Sequence, residues 1–149
     1  MTPILTAKNL VKTYTQTQGF FSRTKHTIHA LDDVSITIER GKTMAVVGES
    51  GSGKSTLAKS LIKLIDIDDG VIQFNGENIN QIGAKALKAT RKNIQMVFQD
   101  PYASLNPRMR IHNILEEPLL IHAIGTTSTR RDKIRAMIVK VGLSPEDLT

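Results

Sequence analysis

The chain has 149 residues, enough for one modest core and not obviously for two complete domains; 40% are apolar and 23% charged, which excludes a disordered chain. Cysteine is absent, so disulfides and thiolate-bound metals are excluded, as fits a cytosolic protein. The net charge of +6 gathers at Arg130, Arg131, Lys133, Arg135 and Lys140, and more thinly at Lys8, Lys12, Arg23 and Lys25, and reads as solvated surface, so no nucleic-acid partner is expected.

Met1 to Leu10 has no basic region leading into a long apolar segment, so no secretory leader is expected. No apolar run is long enough to span a bilayer, which takes about 18 residues. Ile4 to Tyr14 reads as a strand with Leu5, Leu10 and Val11 toward the core. Thr15 to Thr27 is polar and reads as a loop or a splayed hairpin. Within it, Phe20 and Phe21 either cover a hydrophobic edge or touch a partner. Ile28 to Ile38 is the next strand, with Val34, Ile36 and Ile38 alternating against Ser35 and Thr37. A polar turn, Glu39 to Lys42, leads into a short apolar strand, Thr43 to Val47.

That strand delivers the most informative stretch, Gly48 to Thr56, which reads G-E-S-G-S-G-K-S-T and fits G-x-x-x-x-G-K-[ST]. Gly48, Glu49, Ser50, Gly51, Ser52 and Gly53 form the loop that turns backbone N–H groups toward phosphate oxygens. Lys54 is placed to reach the β- and γ-phosphates, Ser55 to ligate Mg²⁺, and Thr56 to add a hydroxyl near the α-phosphate. Lys54 to Ile65 then reads as a helix with an apolar stripe of Leu57, Ala58, Leu61, Leu64 and Ile65. Asp66, Asp68 and Asp69 lack a calcium-loop pattern and read as a solvated turn closing at Gly70.

Val71 to Phe74 is a strand, Asn75-Gly76 a turn, and Glu77 to Ile79 a returning strand. Ala84 to Arg91 is helical, and Ile94 to Phe98 is a second compact apolar strand running into Gln99-Asp100-Pro101. Ile111 to Ile121 is helical with Pro118 expected to kink or divide it. Gly125 to Thr129 breaks the chain, and Ser128 or Thr129 is the expected cap of a helix over Arg130 to Val141. Ile134, Met137, Ile138 and Val141 are its expected core face, and Gly142 its stop. His112 and His122 read as surface or packing residues.

Three features narrow the phosphate loop's meaning. Gln99 follows a strand, where an amide can ligate Mg²⁺ or orient water beside a γ-phosphate. Tyr14 stands at a strand end, as either an adenine platform or a core or rim tyrosine. No Asn-Lys-x-Asp run is present, which argues against an ordinary GTPase.

The chain resembles the N-terminal portion of an ABC transporter ATP-binding subunit. Leu31-Asp32-Asp33-Val34-Ser35, Val46 to Thr56 and Ile94 to Pro101 carry the resemblance. Tyr102-Ala103-Ser104-Leu105-Asn106-Pro107-Arg108-Met109 is similar to the oligopeptide/dipeptide importer subfamily. The resemblance implies an α/β P-loop core with an N-terminal antiparallel β region and the start of an α-helical subdomain. Residues 1–149 would be a partial ABC domain, with 1–100 as β region and core and 101–149 as the start of the helical subdomain. It implies ATP and Mg²⁺ as ligands, Tyr14 stacking on adenine, Gly48 to Thr56 on the phosphates, Ser55 and Gln99 at the metal, and Lys54 and Gln99 as the catalytic groups present. The implied partners are a second ATP-binding subunit, transmembrane permease subunits contacted by a patch including Tyr102 and Leu105, and indirectly an extracellular solute-binding protein. The implied location is peripheral, on the cytoplasmic face of the inner membrane.

The same family pattern calls for a Leu-Ser-Gly-Gly-Gln signature, an Asp-ended strand with a catalytic Glu, and a switch His. None stands in this sequence, so a truncated chain with at most weak nucleotide binding and negligible turnover is expected. The full-length protein is expected to be an ATP hydrolase driving peptide import. A subunit for another solute such as nickel, or a non-transport ABC-type ATPase, is the alternative.

Overall fold

The computed structural model describes residues 3–17, 25–100 and 104–148. It divides into two compact units, Met1–Leu87 and Lys88–Thr149.

The first unit is built on β1 (Pro3–Thr17) and β2 (Lys25–Glu39), two long antiparallel strands. Both outrun their sequence-predicted limits, because strand pairing continues to Thr17 opposite Lys25. Residues 18–24, and with them Phe20 and Phe21, lie outside the described residues. β3 (Asp69–Phe74) pairs with the other edge of β1, and the two-residue β4 (Glu77–Asn78) with β3. The sheet order is β2-β1-β3-β4, antiparallel throughout. Asn75 and Gly76 both have positive φ, 50° and 82°, the type I′ geometry that suits the twist of a tight hairpin.

Leu5, Ala7, Leu10, Leu31, Ile72, Phe74 and Ile79 are buried on this sheet and its returning loop. Helix α1 (Lys54–Leu61) adds Leu57. It is shorter than expected, and its predicted stripe narrows to Leu57 and half-buried Leu61, with Ala58 and Leu64 exposed. The stop comes from Lys63, whose φ of 51° turns the chain so that Lys63 N–H bonds Ser60 O and Leu64 N–H bonds Lys59 O. That is a Schellman ending without its usual glycine.

Two predicted strands are absent from the sheet. Residues 43–47 and 94–98 join no ladder among the described residues. Val47 is 89% exposed and Val97 96%. Each segment has the apolar content of a buried strand, but a strand forms only against a partner that takes up its N–H and C=O groups.

The unit boundary falls inside α2 (Ala84–Thr90). Beyond it, α3 (Ile111–Ile121), α4 (Thr127–Lys140) and a 3₁₀ turn (Pro145–Leu148) enclose a small core of Ile134, Ile138 and Leu148, flanked by Leu115 and Leu119. Pro118 does not divide α3: His122 N–H donates to Pro118 O at 3.1 Å, so the ladder resumes one turn on. The cap of α4 is Thr126, with Thr129 at the third helical position completing a reciprocal capping box. Ser128 is therefore helical, and the helix begins earlier than expected. Met137 and Val141 are exposed, so the core face is narrower than the predicted stripe. Gly142, with φ 81°, ends α4 in a Schellman motif: its N–H bonds Val139 O, and Leu143 N–H bonds Ile138 O. α3 ends the same way through Ala123 at φ 52°, with Ile124 N–H on Leu119 O and Ala123 N–H on Leu120 O.

Arg130, expected as solvated surface, ties the two helices together. Its Nε donates to Glu116 Oε1 at 2.9 Å and its Nη1 to Gly125 O at 2.8 Å. His112 Nε2 lies 3.6 Å from the other Glu116 oxygen. The Arg130 hydrogen bond, more than the charges around it, holds the Glu116 carboxyl below its ordinary range.

Candidate functional site

The site begins with local backbone geometry. Glu49 to Ser52 close a turn, with Ser52 N–H on Glu49 O at 3.2 Å, and Gly51 takes the third place at φ 83°. Gly53 is the N-cap of α1 at φ 88° and ψ 0°, and its carbonyl accepts the first helical bond from Leu57 N–H at 2.8 Å. A Cβ on Gly53 would overlap the carbonyl oxygen of Ala30 on β2. A Cβ on Gly48 would lie 2.8 Å from Ser52 Oγ. The glycines thus keep the loop concave and let it press against the sheet.

Lys54 folds back over this loop. Its Nζ donates to Gly48 O at 2.7 Å, Glu49 O at 2.5 Å and Ser52 Oγ at 3.2 Å. The ammonium is held at the loop by neutral oxygens alone. The first turn of α1 holds no acidic residue, and its cap makes no side-chain bond, so the positive end of the helix is left unneutralised. Ser55 is exposed and Thr56 half-buried. The arrangement is a concave, cationic, backbone-lined surface that accepts a polyanion. Glycine loop, helix N-terminus without a side-chain cap and adjacent Lys54 ammonium are features that would fit the phosphates of a nucleotide.

Tyr14 lies on the same ribbon. β1 and β2 slip register beside it, with Lys12 opposite Leu31 but Thr13 opposite His29, so Ala30 is an extra residue bulged out of the ladder. This bulge is the backbone that abuts Gly53. Tyr14 pairs with Ile28, two residues along β2 from Ala30, or about 7 Å of strand. Tyr14 is 43% exposed, with the Lys12 ammonium 5.7 Å from its ring centroid.

Asp68, expected in a solvated turn, is bonded to β1 instead. Its Oδ1 meets Lys12 Nζ at 2.8 Å, and its Oδ2 accepts Thr13 N–H at 2.6 Å and Thr13 Oγ1 at 2.8 Å. These bonds, led by that from Lys12, lower its pKa from 3.8 to about 2. Neither Asp68 nor Ala30 was legible as part of this region: each acts on residues more than 20 positions away, and neither belongs to a spaced motif.

The phosphate loop and Tyr14 belong to the first unit and Gln99 to the second. Gln99 is exposed and follows the unpaired segment 94–98. Leu105 is exposed, whereas Tyr102 lies outside the described residues. Among the described residues no group of His, Cys, Asp and Glu side chains is arranged to hold a metal.

The family model for ABC transporters matches residues 31–148. The chain belongs to the ABC transporter family. Among relatives of this ABC transporter chain, the dipeptide transport ATP-binding protein DppF of Haemophilus influenzae is 46% identical over 97% of the chain and 44% of its own length. The oligopeptide transport ATP-binding protein AppF of Bacillus subtilis is 41% identical over 95% of the chain and 44% of itself. The glutathione import ATP-binding protein GsiA of Salmonella paratyphi A is 40% identical over 97% of the chain and 23% of itself. The chain therefore spans less than half the length of these curated relatives. Its fold superposes on the dimeric structure of MJ0796, a bacterial ABC transporter cassette, with a TM-score of 0.76 at 23% identity, covering 97% of this chain and 60% of that one. The fold is that of a P-loop ABC ATPase, an N-terminal antiparallel sheet followed by a helical subdomain.

Proposed function

We propose that this chain is the ATP-binding part of the ATPase subunit of a bacterial importer of oligopeptides or dipeptides. The observation that carries the reading is the Lys54 ammonium, held by Gly48 O, Glu49 O and Ser52 Oγ at the uncapped start of α1. A bound triphosphate exchanges those neutral acceptors for charged ones, which form shorter and stronger bonds. In this reading Gly48 to Gly53 cradle the phosphates, Lys54 neutralises the β- and γ-oxygens, and Thr56 adds a hydroxyl near the α-phosphate. Ser55 and Gln99 are the residues that would hold Mg²⁺, which would supply charge neutralisation on the phosphate oxygens. Tyr14 supplies the face on which adenine stacks. Its support is the bulge at Ala30, which sets Tyr14 about 7 Å along the ribbon from the loop's contact with the sheet.

The proposed assembly is a head-to-tail pair of ATP-binding subunits on the cytoplasmic face of the membrane, docked on permease subunits fed by a solute-binding protein. No described helix is long and apolar enough to cross a membrane; in the proposed assembly the transmembrane path belongs to the permease subunits. Residues 1–100 would serve as the nucleotide core and 101–149 as the start of the subdomain facing the permease, with Leu105 in the contact.

The test is transport by the whole protein in cells. Uptake of a labelled dipeptide falls to background with Lys54→Ala, whereas glutathione or nickel uptake is unaffected. Dipeptide uptake that survives the substitution contradicts the reading; loss of glutathione or nickel uptake instead reassigns the solute.

A further inference from the structure

Asp68 belongs to no motif, yet it makes four polar contacts to β1 from outside the sheet. It stands in the link between α1 and β3. Its backbone N–H donates to Val11 O at 2.8 Å, while its carboxylate takes both the N–H and hydroxyl of Thr13 and the ammonium of Lys12. Asp68 therefore grips the three residues immediately before Tyr14. This is the stretch where the ladder to β2 slips, so strand pairing alone leaves its path under-determined. The same carboxylate fixes Lys12, whose ammonium lies over the Tyr14 ring. Side-chain exposure is 17% for Lys12 and 39% for Asp68, so the pair is partly shielded from water.

We infer that Asp68 is a positioning residue for nucleotide-base recognition: by clamping Lys12 and Thr13 it fixes the orientation of Tyr14 as a platform for the base. The inference rests on the reading of Tyr14 as that platform and adds the device that holds it. α1 begins at the phosphate cradle and ends at Leu61, and the non-helical link from Ile62 carries the chain on to Asp68 and the clamp on the base-binding strand. Ionisation of Asp68 across the neutral range keeps both bonds to Thr13 and the contact with Lys12 in place.

The test compares Mg²⁺–ATP with Mg²⁺–tripolyphosphate, which offers phosphates without a base. Affinities are measured by calorimetry on the chain and on Tyr14→Ala, Asp68→Ala and Asp68→Asn. Tyr14→Ala weakens ATP about tenfold and leaves tripolyphosphate within about twofold, as loss of one stacking platform requires. Asp68→Ala reproduces that selective loss, and Asp68→Asn, which keeps an oxygen for Thr13 but not the charge for Lys12, gives a smaller one. If Tyr14→Ala is selective and the Asp68 variants bind ATP as wild type does, the clamp is overturned and the platform stands. If Tyr14→Ala changes nothing, the platform reading falls and the clamp with it. Equal losses for both ligands in the Asp68 variants assign Asp68 a purely structural role and overturn the inference. Should Asp68→Ala not fold by circular dichroism, Asp68→Asn carries the comparison.

Discussion

Gly51 and Gly53 stand two residues apart in the phosphate loop with nearly equal backbone angles, φ 83° and 88°. Alanine at either position pays the left-handed penalty of about 1–2 kcal/mol. Their surroundings differ. Nothing lies within 4 Å of a Cβ on Gly51, whereas a Cβ on Gly53 overlaps Ala30 O. The obstacle is backbone, so no rotamer change relieves it, and overpacking adds about 1–3 kcal/mol. Gly53→Ala is therefore expected to cost about 2–5 kcal/mol and Gly51→Ala about 1–2 kcal/mol. For a unit of this size each kcal/mol lowers Tm by about 4–8 °C. Urea and thermal unfolding followed by far-ultraviolet circular dichroism measure both. Equal costs for the two substitutions would refute the claim that the bulge at Ala30 presses on the start of α1.

Ala123 holds a left-handed position at the end of α3, so Ala123→Gly is expected to raise stability by about 1 kcal/mol; a loss of stability would contradict the Schellman assignment. Thr126→Ala costs about 1 kcal/mol in urea unfolding, while Ser128→Ala stays within about 0.5 kcal/mol; the reverse order would restore Ser128 as the cap. Asp68 has a folded-state pKa of about 2 against an ordinary 3.8, so the unfolded chain binds its proton first as pH falls. Its stabilisation is complete above about pH 4 and is lost as pH drops through about 2. Asp68→Asn therefore flattens the acid limb of the stability profile in that window, and an unchanged slope would refute the assignment.

What was legible in the sequence was local. Gly48 to Thr56 has fixed spacing, Asn75-Gly76 supplies both positive angles of its turn, and Gly142 ends a periodic helix; each needs only near neighbours. The fold departs from its sequence pattern where structure depends on distant or unusual partners. Residues 43–47 and 94–98 have strand composition, yet composition cannot provide a ladder neighbour. Lys63 and Ala123 take a turn conformation that glycine ordinarily supplies, so the sequence marks no stop for α1 at Leu61 and its helical pattern runs on to Ile65. Thr126 does not stand out in sequence because the following threonines and serine are equally good caps in isolation; reciprocal bonding to Thr129 selects it. Asp68 is indistinguishable in sequence from its acidic neighbours because its partners, Lys12 and Thr13, lie 56 and 55 residues away.

The central claim is that Gly48 to Thr56 forms a nucleotide cradle whose cation is Lys54. Calorimetric titration of the chain with ATP, with and without Mg²⁺, tests it most directly beside Lys54→Ala. The account predicts one site strengthened by Mg²⁺, and a loss of about 2–3 kcal/mol, or roughly 30- to 150-fold in Kd, when the charge-assisted bonds of Lys54 are removed. Equal affinity in wild type and Lys54→Ala would contradict it.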